Sequence, residues 1–99
     1  MQANIIQVKK WLHKHTPSET ELLQLMQDEG LSPYRWSNGA HDVYPAHEHD
    51  YHKIIYIVSG SITFGFPIVN DPTTLTAGDR LDLPANVMHN AVVGADGVV

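Results

Sequence analysis

The sequence predicts a mainly β protein, an antiparallel sandwich or barrel preceded by one or two helices. Three observations predict it. Its 99 residues amount to one small domain, since single domains run to roughly 50–250 residues. Near residue 37 a charged, helix-favouring first third gives way to short β-favouring runs set between Gly, Pro, Asn and Asp. Those turn signals recur about every eight to twelve residues, the spacing at which several short antiparallel strands fold back on one another. The chain therefore divides into an N-terminal arm and helix, residues 1–37, packing on a barrel of residues 38–99.

Each element has its own warrant. In Asn4 to Leu12, the residues Ile5, Val8 and Leu12 fit a helix, while the β-branched content also allows an edge strand; we take a helix or extended arm. A second helix opens at Thr16-Pro17-Ser18-Glu19, with Thr16 as N-cap, Pro17 in the first turn and Glu19 closing a capping box, and it stops at Gly30. Leu22, Leu25, Met26 and Glu29 share a face, with Leu23 beside it, as an amphipathic helix on a core requires. Extended segments are expected at Pro33 to Trp36 and Asp42 to Ala46. His52 to Val58 and Ile62 to Phe66 flank Ser59-Gly60-Ser61 and are expected to form a hairpin. Asn70-Asp71-Pro72 turns the chain into Thr73 to Thr76, and Gly78-Asp79 turns it into Arg80 to Leu83. Pro84-Ala85-Asn86 leads to Met88 to Val93, and Gly94 to Gly97 forms a last turn.

Composition narrows the function classes. Six Lys and Arg stand against eleven Asp and Glu, a net charge of −5, which argues against a nucleic-acid surface. The longest apolar runs, such as Ile54 to Val58, fall far short of the roughly 20 residues of a membrane span, and no basic-then-apolar leader opens the chain. A soluble cytoplasmic protein is expected. The absence of cysteine removes disulfides, thiolate metal sites, iron–sulfur clusters and Cys nucleophiles together. A barrel this small with open strand edges also gains buried area by pairing, so a homodimer is expected.

Histidine is where the chemistry concentrates: of seven in the chain, His41, His47, His49 and His52 fall close together. His47 and His49 are two apart, so on a strand they project from one face roughly 6.5–7 Å apart along the chain and can converge on one ion. Continuing the parity, Tyr51, Lys53, Ile55 and Ile57 share that face, while Glu48, Asp50 and His52 point away. His52 is therefore not expected to be a ligand. Tyr34 and Trp36 are candidates for the barrel mouth, Tyr56, Phe64 and Phe66 for core or interface, and His13 and His15 are given no role.

Two stretches resemble the motifs of the cupin superfamily. The first runs from His47-Glu48-His49 through Lys53-Ile54-Ile55-Tyr56-Ile57-Val58 to Ser59-Gly60. The second runs from Gly78-Asp79-Arg80 through Leu83-Pro84-Ala85-Asn86 to Met88-His89, and the two glycines Gly60 and Gly78 stand about 20 residues apart. The resemblance covers roughly residues 41 to 93. It implies a cupin-type antiparallel barrel, or jelly roll, and a metal held by His47, His49 and His89. Three neutral imidazoles leave open coordination positions, as a catalytic site requires. The metal would be one divalent transition ion, with iron, zinc, manganese, nickel and copper all compatible.

This chain also departs from the pattern. Lys53 stands in phase with the metal-binding Glu of the family, His41 and Asn86 stand at Gly positions, and Val93 replaces a late Asn. An ammonium is no ligand near neutral pH, so Lys53 favours an anionic group beside the site and is the candidate catalytic residue. Three functions remain open: a metal-dependent oxygenase or isomerase acting on a small anionic molecule, a module that binds a small ligand or metal without turnover, and an interaction protein that uses the fold alone. In the metal-free alternative the histidines hydrogen-bond instead.

Overall fold

Two antiparallel sheets and one helix make up the computed structural model, which describes residues 6–68 and 70–99. In chain order the elements are β1 (Gln7–Lys9), α1 (Glu19–Asp28), β2 (Val43–His47), β3 (Lys53–Tyr56), β4 (Gly60–Phe66), β5 (Asn70–Thr76), β6 (Arg80–Leu83) and β7 (His89–Val98). One sheet has the order β1-β6-β3 and the other β2-β7-β4-β5.

Alternation decides which face of each strand is buried. On β4, Ile62, Phe64 and Phe66 turn inward and Ser61, Thr63 and Gly65 outward. Ile55, Leu81 and Leu83 from the first sheet join Ile62, Phe64, Leu75, Ala91 and Val93 from the second in one apolar cluster, as in two sheets packed face to face. Among the described residues no helix is long and apolar enough to cross a membrane.

The N-terminal segment is strand rather than helix. Gln7, Val8 and Lys9 pair with Asp82, Leu81 and Arg80 of β6, so a β6 edge that would otherwise be bare gains a partner. Asn4 and Ile5 lie outside the described residues. The segment after β1 is tied down by Asp79, which is 3% exposed. Its carboxylate accepts from the Thr76 N–H at 2.8 Å, the Trp11 N–H at 2.9 Å and Lys10 Nζ at 2.9 Å. Trp11 lies over Gly78, where a β-carbon would come within 2.5 Å of the indole.

Helix α1 starts two residues later than expected. Ser18, not Thr16, is the N-cap, and its hydroxyl accepts from the Glu21 N–H at 3.1 Å. At the other end Gly30, with φ of 80°, closes a Schellman motif: the Gly30 N–H reaches the Gln27 carbonyl and the Leu31 N–H the Met26 carbonyl, each at 2.9 Å. The predicted core stripe is corrected as well. Leu22 is fully buried, whereas Leu23 and Leu25 are 38% and 39% exposed.

Three strand expectations also change. Pro33 to Trp36 is not a strand. β3 and β4 are not a hairpin, because β3 pairs with β6 while β4 pairs with β5 and β7. The chain between them crosses from one sheet to the other, held by the Gly78 N–H on the Ile57 carbonyl and the Val58 N–H on the Val99 carbonyl. Gly94 to Gly97 is a bulge rather than a turn. β7 runs through it, so that Ile62 faces Val93 while Gly60 faces Val98. β5 likewise begins at Asn70, inside the turn expected at Asn70-Asp71-Pro72.

Candidate metal centre

The site begins with an irregularity in β2. This is an edge strand, where Pro45 can sit without depriving a neighbour of an N–H. Val43 faces Val92 and Tyr44 faces Ala91, but the next pair is His47 with His89, so β2 carries one residue more than β7 over that interval. Tyr44 and Ala91 both line the inner cavity. Regular alternation from Tyr44 would turn Ala46 inward, and the extra residue turns His47 inward instead. His49 keeps that facing just beyond the strand end. His89 opens β7 and is 4% exposed.

The three imidazoles meet. Ring centroids lie 4.3 Å apart for His47 and His89, 4.9 Å for His47 and His49, and 5.1 Å for His49 and His89. One ring nitrogen from each lies within 4.8 Å of the others. Two nitrogens on one ion at roughly 2.1 Å stand at most about 4.2 Å apart, and closer in a tetrahedral site, so a pair at the wide limit must close by at least about 0.6 Å to ligate. His49, in the β2–β3 connection, has no hydrogen bond to its ring among the described residues.

The other two rings are oriented by backbone. His47 Nδ1 donates to the Pro45 carbonyl at 2.7 Å, and His89 Nδ1 to the Val87 carbonyl at 2.9 Å. A carbonyl only accepts, so each Nδ1 carries the hydrogen and each Nε2 presents its lone pair. Metal-binding histidines are held in this way by an acceptor behind the ring. Burial holds the pKa of His49 and of His89 below the ordinary histidine value. Lys53 and the neighbouring imidazoles push both in the same direction, against the Val87 carbonyl in the case of His89. Both rings are thereby kept in the neutral, electron-donating form at neutral pH.

These histidines and Lys53 line a cavity of about 240 Å³ whose walls include Ile55, Ile62, Phe64, Leu83 and Ala91, with Tyr34, Trp36 and Tyr44 completing it. The parity expectation places Lys53 and Ile55 correctly. Tyr51 stacks on His49 with centroids 5.0 Å apart but is half exposed, and Ile57 belongs to the core. Glu48 and Asp50 are exposed. Among the described residues Lys53 has no carboxylate within salt-bridge distance. Sequence reasoning missed Tyr44, whose hydroxyl donates to Asn38 at 2.6 Å; its alternation with the inward His47 is masked by the bulge.

A second cavity, of about 520 Å³, lies between α1, residues 31–36 and β3, and His52 faces it rather than the histidine cluster. α1 is held over this space by polar contacts. Tyr56 donates its hydroxyl to Glu29 at 2.7 Å, the Arg80 guanidinium pairs with Glu29 and reaches Tyr56 at 3.1 Å, and Asp82 accepts from Arg80 Nε at 2.6 Å. The Tyr56 hydroxyl lowers the Glu29 pKa, burial opposes that, and Arg80 lowers it further.

Compared with protein-family models, curated proteins and solved structures, the chain matches none.

Proposed function

We propose that this chain is a small cupin-type protein in which His47, His49 and His89 hold one divalent transition metal and Lys53 receives the anionic group of a small substrate. The observation that carries the reading is the set of three ring nitrogens within 4.8 Å of one another, two of them aimed by backbone carbonyls. A bound ion would supply Lewis acidity or a site for O₂. The protein's part is to keep the His49 and His89 imidazoles neutral, aim His47 by its backbone hydrogen bond, leave coordination positions open, enclose the cluster in apolar walls and set one ammonium beside it. That combination suits an oxygenase or isomerase.

Backbone conformation also supports the cupin resemblance. His41 and Asn86, each with φ of 65°, are the non-glycine residues at positive φ among those described. Both stand where the cupin pattern has Gly, the residue for which that conformation costs least. A second reading, capture without turnover, draws on the cavity lining: it contains no carboxylate to act as general base.

Metal analysis of protein prepared without a nickel column, followed by titration of the apo protein with Zn²⁺ or Fe²⁺, tests the proposal. One ion per chain is expected. Lys53→Glu exchanges a repelling charge for a fourth donor and should tighten binding. Failure of the wild type to bind either ion, or a Lys53→Glu variant that binds no better, overturns the site as drawn. A redox metal whose removal abolishes O₂ consumption with a small acid favours the oxygenase, and retention of an unchanged ligand favours capture.

A further inference from the structure

We infer that the ligand of this site is an apolar carboxylate, with its carboxylate between Lys53 and the histidine cluster and its hydrocarbon body in the cavity beneath α1. The inference rests on the histidine-site reading and deepens it by naming a substrate class. Size is the first argument. Small-molecule sites occupy roughly 300–1,000 Å³; the 240 Å³ around the histidines falls just below that range, while the 520 Å³ beside it falls inside it.

Adjacency is the second argument. Tyr34, Trp36, Lys53 and Ile55 line both cavities, so the two adjoin at these side chains, and a ligand that turns them aside reaches from one into the other.

Charge fixes which end goes where. The larger cavity has Arg35 on its wall, but that guanidinium is already matched by Glu19 at 2.9 Å. Lys53, at the junction, has no such partner among the described residues. A half-buried ammonium without a counter-ion is a position for an anion. Away from the junction the walls include Leu23, Met26, Leu31 and Ile54. These favour hydrocarbon, at roughly fourfold in affinity for each buried methylene.

The larger cavity also carries polar groups, Ser32 and His52 among them. The Tyr56 hydroxyl is committed to Glu29 and Arg80.

Calorimetric titration of the full chain with octanoate, acetate and 1-octanol, each on apo and on Zn²⁺-loaded protein, tests this. Octanoate should bind at least about a hundredfold more tightly than acetate, the effect of burying three to four methylenes. It should also exceed 1-octanol, and Lys53→Met should remove that preference while leaving 1-octanol unchanged. Leu23→Asn, at a half-exposed position, should weaken octanoate severalfold without altering acetate or Zn²⁺.

Octanoate no tighter than acetate overturns the inference even if one Zn²⁺ binds per chain. Octanol equal to octanoate overturns the role of Lys53. Loss of Zn²⁺ binding with the octanoate preference intact overturns the metal reading and upholds the apolar carboxylate.

Discussion

The two cavities that share the Trp36 and Lys53 wall are built in opposite ways. Around the histidines, geometry comes from strand register: a one-residue bulge in β2, the His47–His89 pairing, and ring nitrogens tied to carbonyls two residues back along the chain. Under α1, geometry comes from a helix anchored by one fully buried residue, Leu22, and otherwise held by ion pairs at Glu19 and Glu29 and by a tyrosine hydroxyl, with Leu23 and Leu25 left partly in solvent. Moving a strand register means breaking a ladder and turning buried side chains outward, whereas moving a helix held by polar side chains means exchanging them for water. The histidine side is thus suited to fixed chemistry and the helix side to ligands of varied shape.

The largest expected effect is at the fixed side. If His47, His49 and His89 hold the ion as proposed, His89→Ala removes one of three ligands, and Zn²⁺ affinity should fall by more than the roughly 10–100-fold that loss of an outer partner costs. His52→Ala, on the other cavity, should change it less than about twofold, since its ring lies outside the histidine cluster. Equal losses in a Zn²⁺ titration would erase the distinction between the two regions. Next comes Leu81→Ala. Leu81 is fully buried in the core that joins the sheets, and the change should cost about 2–5 kcal/mol, read from urea unfolding. Arg80→Met should cost roughly 2 kcal/mol, in the range for hydrogen bonds to charged groups. Its signature should be local: α1 amides lose hydrogen-exchange protection while those of β4 and β7 keep theirs. Uniform loss in both would mean the helix is not an independent wall.

Acid should act through Asp79, which ties the segment after β1 to the β5–β6 turn. Burial raises its pKa, but the Thr76 and Trp11 N–H groups and Lys10 outweigh it, leaving the carboxyl below its usual 3.8. A carboxyl depressed in the folded state contributes stability that is full above its unfolded pKa and is lost as pH falls through the folded one. Unfolding midpoints should therefore drop below about pH 4. Asp79→Asn should flatten that part of the profile.

The legibility of the chain divides along the same line. The histidine triple could be read because His47-x-His49 carries a two-residue period and His89 a recurring motif position. The bulge that turns His47 inward could not, since register is a property of a strand and its partner. Period-two alternation likewise named the face of β3 that carries Lys53 and Ile55 but not the strand's neighbours, and a short Gly loop that reads as a hairpin instead crosses between sheets. Gly94 to Gly97 reads as a turn by composition, yet the ladder to β4 continues past it. The larger cavity had no sequence signature, being the space between elements rather than a property of any one.

The smallest expected effect separates two capping readings of α1. Thr16, Pro17 and Ser18 all precede the first helical turn, and two of the three can cap. In the structure the Ser18 hydroxyl accepts the Glu21 N–H, one of the donors a helix start leaves without an intrahelical partner. Thr16 makes no such bond, and the Glu21 carboxylate is turned to His15 Nε2 at 3.1 Å rather than back to the cap. Without that return bond only half of a capping box exists, so Ser18→Ala should cost about 1 kcal/mol and Thr16→Ala close to nothing. Because α1 is also fastened by Glu29 at its far end and by Glu19 and the buried Leu22 nearer its start, the loss should stay local, as fraying of the first turn with faster amide exchange at Glu21 and Leu22. Zn²⁺ binding should not change. If Thr16→Ala is the more costly variant, the helix begins where composition alone would place it.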